Sequence, residues 1–160
     1  MSKPKRLVLI LGDQLDRQSS ALKDFDFQND EVVMIESIPE AQVVWSHKAK
    51  IALFLSAMRH FAEELKVDGY PLHYVQESKL SIVGSLKEIL LEKGIKHLVC
   101  IEPGEWRLKL ALEKLAKDSK VQLDMREDSH FYCSHREFRE WSANKKELRL
   151  EFFYRLMRKT

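Results

Sequence analysis

Two short apolar runs, each cut off by a turn that contains glycine, constrain this chain more than anything else in it. Leu7–Leu11 runs unbroken into Gly12-Asp13-Gln14-Leu15, and Leu98–Ile101 runs into Glu102-Pro103-Gly104-Glu105-Trp106. Continuous apolar runs of this length mark strands buried on both faces, the pattern of a parallel sheet covered by helices. Each turn sets polar or aromatic groups beside a glycine, and helical spacing is expected after each. Loops at the carboxyl ends of strands in such sheets are where ligands bind. The pair of turns therefore predicts a pocket for a small polar molecule.

Strand and helix patterns alternate through most of the chain, which argues for βαβ units. The expected strands are Arg6–Leu11, Glu31–Glu36, Leu72–Val75, His97–Ile101 and Val121–Met125. A long helix is expected from an N-cap at Ser46 to about Lys66, ended by Asp68-Gly69. Ile51, Phe54, Leu55, Met58, Phe61, Ala62 and Leu65 form its inward stripe. Shorter helices carry Ile82–Leu90, stopping at Gly94, and Leu108–Leu115. Right-handed crossovers place these helices on both faces of the sheet. The reading is a Rossmann-like, doubly wound α/β domain with a mainly parallel five-stranded sheet over residues 1–130 and a helical extension over 131–160.

That extension breaks the alternation. Arg136–Ser142 and Lys145–Arg158 read as helices, and the second is apolar on too many sides, through Leu148, Leu150, Phe152, Phe153, Tyr154, Leu156 and Met157. Such a helix either leads into a second domain or folds back over the sheet edge.

Composition narrows the function classes. The chain has 160 residues, 44% of them hydrophobic and 32% charged, with a net charge of +2, so no global basic field recruits nucleic acid. No apolar stretch approaches the roughly 20 residues of a bilayer span, and the amino terminus lacks the pattern of a signal peptide. Two cysteines, Cys100 and Cys133, and six scattered histidines show no metal-ligand spacing. The expectation is a cytoplasmic chain with no metal site, no membrane partner and no catalytic constellation.

The turns carry the candidate site. Gly12 lets the chain turn without a Cβ in the way, and Asp13 and Gln14 either face the crevice or, in Asp13's case, cap the next helix. Pro103 biases Glu102 toward extended geometry, while Gly104 is free to take a positive φ. Trp106 stacks on a flat ring or lies buried beneath its helix, and Glu105 can bond ring N–H groups or hydroxyls. Ser37 and Glu40 add a third loop on the same edge, where Glu40 either contacts a hydroxyl or is a solvated acid at a helix start, and Ile51 and Phe54 belong to the core unless one of them floors a pocket. With no phosphate-binding glycine loop and acids at both strand ends, an uncharged heteroaromatic ligand is favoured over a nucleotide.

Several of these segments resemble one family. Leu7–Leu15, His47–Ile51, Ser56–Leu65, Glu102–Arg107 and Glu151–Lys159 are similar, in order, to bacterial photolyase-related proteins. These form the iron–sulfur branch of cryptochromes and photolyases, which includes prokaryotic (6-4) photolyases. The resemblance implies an amino-terminal antenna domain that in some members holds 6,7-dimethyl-8-ribityllumazine. It implies a chromophore pocket at Gly12, Asp13, Gln14, Ser37, Glu40, Ile51, Phe54, Gly104, Glu105 and Trp106. FAD, a 4Fe-4S cluster and the DNA-lesion groove would belong to a carboxyl-terminal flavin domain absent from this sequence. That domain is then the expected partner, with DNA engaged only by the full-length protein. A fragment or a truncated gene product is expected on this reading. Two other readings are a stand-alone module docking a helical partner through Phe152, Phe153 and Leu156, and a nucleotide-binding enzyme of the wider Rossmann-like group.

Overall fold

The computed structural model describes residues 5–43 and 46–159. The chain divides into two compact units, Met1–Arg126 and Glu127–Thr160.

The first unit is built on five parallel strands: β1 (Arg6–Leu9), β2 (Asp30–Ser37), β3 (Leu72–Ser78), β4 (His97–Ile101) and β5 (Gln122–Arg126). Their order is β3-β2-β1-β4-β5, and every neighbouring pair is parallel. Helices α1 (Ile38–Val43), α2 (Lys48–Val67), α3 (Ile82–Lys93) and α4 (Trp106–Ser119) fill the connections. Side chains alternate across a strand, so each central strand feeds two cores. Leu7, Leu9, Val33, Leu98 and Cys100 point to the layer made by Leu86, Ile89 and Leu90 of α3 and Leu108, Leu112 and Leu115 of α4. Val8, Val32, Met34, Val99 and Ile101 meet Met58, Phe61, Ala62 and Leu65 of α2, joined by Ala21 and Leu22. Helices on both faces of a parallel sheet make the unit a doubly wound, Rossmann-like α/β fold.

Several expectations shift. β1 ends at Leu9, although Ile10 still donates its N–H to Val33 O at 3.0 Å and the apolar run stays buried to Leu11. No helix follows Gly12-Asp13-Gln14; residues 12–24 are mainly turns, so Asp13 caps nothing. Here Asp16 accepts from Gln18 N and Ser19 Oγ from Ala21 N. Such bonds give the backbone an alternative to helix. The N-cap of α2 is His47, not Ser46, with its ring Nδ1 accepting from Ala49 N at 3.2 Å. The positive φ expected at Gly104 is absent; Gly69 and Gly94 use theirs after α2 and α3.

The 20 residues of α2 span about 30 Å, against about 13 Å for the four residues of β1. Its second half packs on the sheet and its first half overhangs the carboxyl edge, leaving Leu53 72% and Phe54 45% exposed.

The second unit holds α5 (His135–Ser142) and α6 (Leu150–Met157). Ser134 caps α5 in a capping box with Glu137. The expected Lys145–Arg158 helix is shorter because residues 145–149 are irregular. Phe138, Trp141 and Phe153 form one ring cluster with centroids 4.8–5.6 Å apart. Neither helix contains a buried residue.

Candidate functional site

The chain leaves β1 toward β2 and β3, then crosses back to β4 on the other side of β1. That reversal opens a crevice at the carboxyl ends of β1 and β4, the position where such sheets bind ligands. A cleft of about 340 Å³ lies there, extended toward the end of β2. Its size is at the small end for ligand pockets. Leu11, Gly12 and Met58 contribute to its lining together with Ile51, Phe54 and Leu55 on the overhang of α2. Ser37, Glu40 and Ala41 line it from β2 and α1, and Pro103, Glu105 and Leu108 from β4 and α4.

Gly12 is fixed by closeness to α2. A Cβ placed there would sit 2.5 Å from Phe54 Cε1 and 2.7 Å from Met58 Sδ. Two residues on, Gln14 is buried and donates from Nε2 to the carbonyl oxygen of Glu102 at 3.0 Å, so the two turns are hydrogen-bonded to each other. Among the described residues its buried Oε1 has no partner.

Behind the cleft, Glu36 is a carboxylate only 3% exposed. It accepts Arg59 Nε at 2.8 Å and Nη2 at 2.9 Å, a bidentate pair, and the Tyr74 hydroxyl at 2.5 Å. The Arg59 guanidinium holds the Glu36 carboxyl below its ordinary range, with Tyr74 adding to the effect and burial opposing it. Burial, then the neighbouring carboxylate, pushes the Tyr74 hydroxyl up. Since Arg59 comes from α2, Glu36 from β2 and Tyr74 from β3, this group ties α2 to the sheet.

At the mouth, Arg107 donates from Nη2 to Glu40 at 2.5 Å and from Nε to Glu105 at 2.7 Å. Glu40, then Glu105, holds its guanidinium more firmly protonated than usual. Trp106 stands apart from the cleft lining, 67% exposed, with Lys109 Nζ 5.2 Å from its ring centroid. Its helix buries Leu108, Leu112, Leu115 and Ala116. Two residues from Leu108 is about 200° around a helix, which turns Trp106 to the opposite side.

Seven of the ten sequence-derived residues line the cleft: Gly12, Asp13, Ser37, Glu40, Ile51, Phe54 and Glu105. Gln14, Gly104 and Trp106 do not. Sequence reasoning missed Glu36, Lys50, Met58 and Pro103, which line it, and Arg59 and Arg107, which hold its acids. Lys50 was legible, one turn from Phe54 on the same helix. Arg107 was not, because its partner Glu40 lies 67 positions away.

Chemically, the cleft offers an apolar slab on one side and carboxylates with a serine hydroxyl on the others. Asp13, Glu40 and Glu105 can accept from hydroxyl or N–H groups, with Arg107 balancing part of the charge of the two glutamates and Lys50 also in the lining. Among the described residues no three His, Cys, Asp or Glu side chains gather as a metal would require. Cys100 has its thiol pushed up to about 12, chiefly by burial, and is no nucleophile. Among the described residues, no helix is long and apolar enough to cross a membrane.

A family model described as deoxyribodipyrimidine photo-lyase-related protein matches residues 8–160. The chain is also 42% identical over 158 residues to a (6-4) photolyase of Agrobacterium fabrum (strain C58). That alignment covers 96% of this chain and 31% of the relative, so the chain spans about a third of the protein it matches.

Proposed function

The chain belongs to the deoxyribodipyrimidine photo-lyase-related family, and from that premise we propose that its first unit binds an antenna chromophore of the ribityl-lumazine type. The single observation that carries the reading is the cleft itself: an apolar slab of Ile51, Phe54 and Met58 facing the carboxylates Glu40 and Glu105. A flat, uncharged heterocycle fits the slab, and the hydroxyls of a polyol tail suit the carboxylates. The volume of about 340 Å³ suits a ligand of that size rather than a dinucleotide. Such a ligand supplies an excited state on absorbing light; the chain's own residues bind it, orient it and exclude water. DNA repair, FAD, a 4Fe-4S cluster and a cytoplasmic setting belong to the same proposal. They would be properties of a longer protein carrying a flavin domain, as the length of the (6-4) photolyase relative supports.

Titration of the purified chain with 6,7-dimethyl-8-ribityllumazine, followed by fluorescence and absorbance, tests the reading. Saturable binding is expected, weakened about tenfold or more by Phe54→Ala, since burying an aromatic side chain on a ligand contributes roughly 1.5–3 kcal/mol. Trp106→Ala should change the affinity less than twofold. A wild-type chain that takes up no lumazine overturns the proposal.

A second reading, a module docking a helical partner, is supported by α6, where Phe152, Tyr154 and Leu156 are exposed and no residue is buried. Phe153 instead packs on Phe138 and Trp141, so Leu156→Asp is the cleaner probe of docking. If the second reading holds, Leu156→Asp abolishes partner capture and leaves lumazine uptake unchanged.

A further inference from the structure

Helix α1 forms one wall of the cleft yet buries none of its residues. Apolar packing therefore does little to hold it down. Ser37, just before it, donates its hydroxyl to Leu80 O at 2.8 Å and accepts from Glu40 N at 3.3 Å, which fixes the start of the helix and no more. Glu40 is the single charged residue in Ile38–Val43, so any ion pair from this wall must run through it. That pair runs to Arg107, which also holds Glu105 through both its Nε and Nη2, at 2.7 and 3.2 Å. One guanidinium thus joins the α1 wall to the β4–α4 wall across the mouth. A guanidinium is suited to this because its donors lie in a rigid planar fork that can serve two carboxylates at once.

We propose that Arg107 is a clamp across the cleft mouth, a positioning residue that holds α1 in place and sets how long a bound ring stays. The proposal rests on the chromophore-binding reading for its ligand but not for its geometry. Arg107 need not touch the ligand. It acts by keeping Glu40 and Glu105 at a fixed separation, so that both carboxylates meet the ligand's hydroxyls in register. Arg107 is half-exposed and open to salt while Glu40 is largely covered, and the expected effect is of the modest size usual for ion pairs at a surface. Opening of the mouth changes how fast a ligand leaves more than how fast it arrives.

Two measurements on the full chain decide it. The first is ¹⁵N relaxation of the amides of Ile38, Glu40, Ala41, Gln42 and Val43 without ligand: Arg107→Ala and Glu40→Gln should each lower their order, and the double variant should add nothing further. Arg107→Lys, which can reach one carboxylate at a time, should fall between wild type and Arg107→Ala. The second is stopped-flow release of 6,7-dimethyl-8-ribityllumazine: Arg107→Ala should speed dissociation by about three- to five-fold with little change in association rate. Unchanged α1 order in Arg107→Ala overturns the clamp, as does lower order with unchanged release. Failure of the wild type to bind lumazine overturns the chromophore reading instead, and the relaxation data then support or overturn the clamp alone.

Discussion

The turn after β1 and the turn after β4 stand side by side at the switch point, joined by the Gln14–Glu102 hydrogen bond, and different forces hold them. The first is locked by packing. Gly12 lies against Phe54 and Met58 with no room for a methyl group, and Gln14 is buried two residues later. The second is held by charge. Gly104 and Glu105 are exposed, Arg107 ties Glu105 to Glu40, and Lys109 Nζ pairs with Glu102 at 2.5 Å. Packing is insensitive to salt, whereas the exposed Arg107–Glu105 pair weakens as salt is added and the more covered Lys109–Glu102 pair weakens less. The difference suits a site with a fixed floor and an adjustable rim.

Gly12→Ala tests the packed turn most severely. The added methyl meets the ring end of Phe54 and the Sδ of Met58, which must shift, and overpacking of this kind should cost about 1–3 kcal/mol in urea unfolding. It should abolish lumazine uptake as well, because Phe54 must leave its place on the cleft wall. If Gly12→Ala unfolds like the wild type, the floor is not rigid and the contrast between the turns fails.

Glu36→Gln probes whether charge also matters beneath the packed side. Replacing an ionised acceptor with a neutral one against Arg59 and Tyr74 should cost about 1–2 kcal/mol at neutral pH. Because the folded-state pKa of Glu36 lies below its ordinary value of 4.5, its stabilisation is fully present above that value. It is lost as pH falls through the lower, folded value. Urea midpoints measured from pH 6 downward should therefore fall less steeply in Glu36→Gln than in the wild type. Equal slopes would remove Glu36 from the account of acid stability.

Gln14→Leu addresses the link between the turns. It removes the bond to the Glu102 carbonyl but also the buried Oε1 that has no partner, so the net cost should be no more than about 1 kcal/mol. A loss well above that, measured by the same unfolding assay, would mean Oε1 has a partner in solution.

Gly104→Ala should do least. A Cβ there meets nothing within 4 Å and the φ is not left-handed. Unfolding should be unchanged or shifted upward by about 0.4–1 kcal/mol, through the less flexible unfolded chain. The same substitution at Gly12 and Gly104 thus has opposite signs, and a destabilised Gly104→Ala would erase the distinction between floor and rim.

Much of this was legible because strand and helix periods are local. Leu7–Leu11 and Leu98–Ile101 announced buried parallel strands, and the spacing from Met58 to Leu65 announced the packed half of α2. The cleft lining was legible where loop position alone decides it, as at Gly12, Ser37 and Glu105. It was not read at Trp106, although the expected stripe from Leu108 to Leu115 already turns that side chain outward. Nor was it legible in the segment after Gln14, where side-chain bonds from Asp16 and Ser19 displaced an expected helix.

By itself, then, the sequence determined the five strands, the three long helices of the first unit, the two-faced core and the family likeness, because each follows from residue spacing over a few turns. Tertiary structure alone decided that Gly12 lies under Phe54, that Arg59 meets Glu36 and that Arg107 spans Glu40 and Glu105. The contacts of Arg59 with Glu36, Gly12 with Phe54 and Arg107 with Glu40 join residues 23 to 67 positions apart. Their geometry is set by how far α2 overhangs the sheet and how α1 crosses its edge, and no local period encodes either.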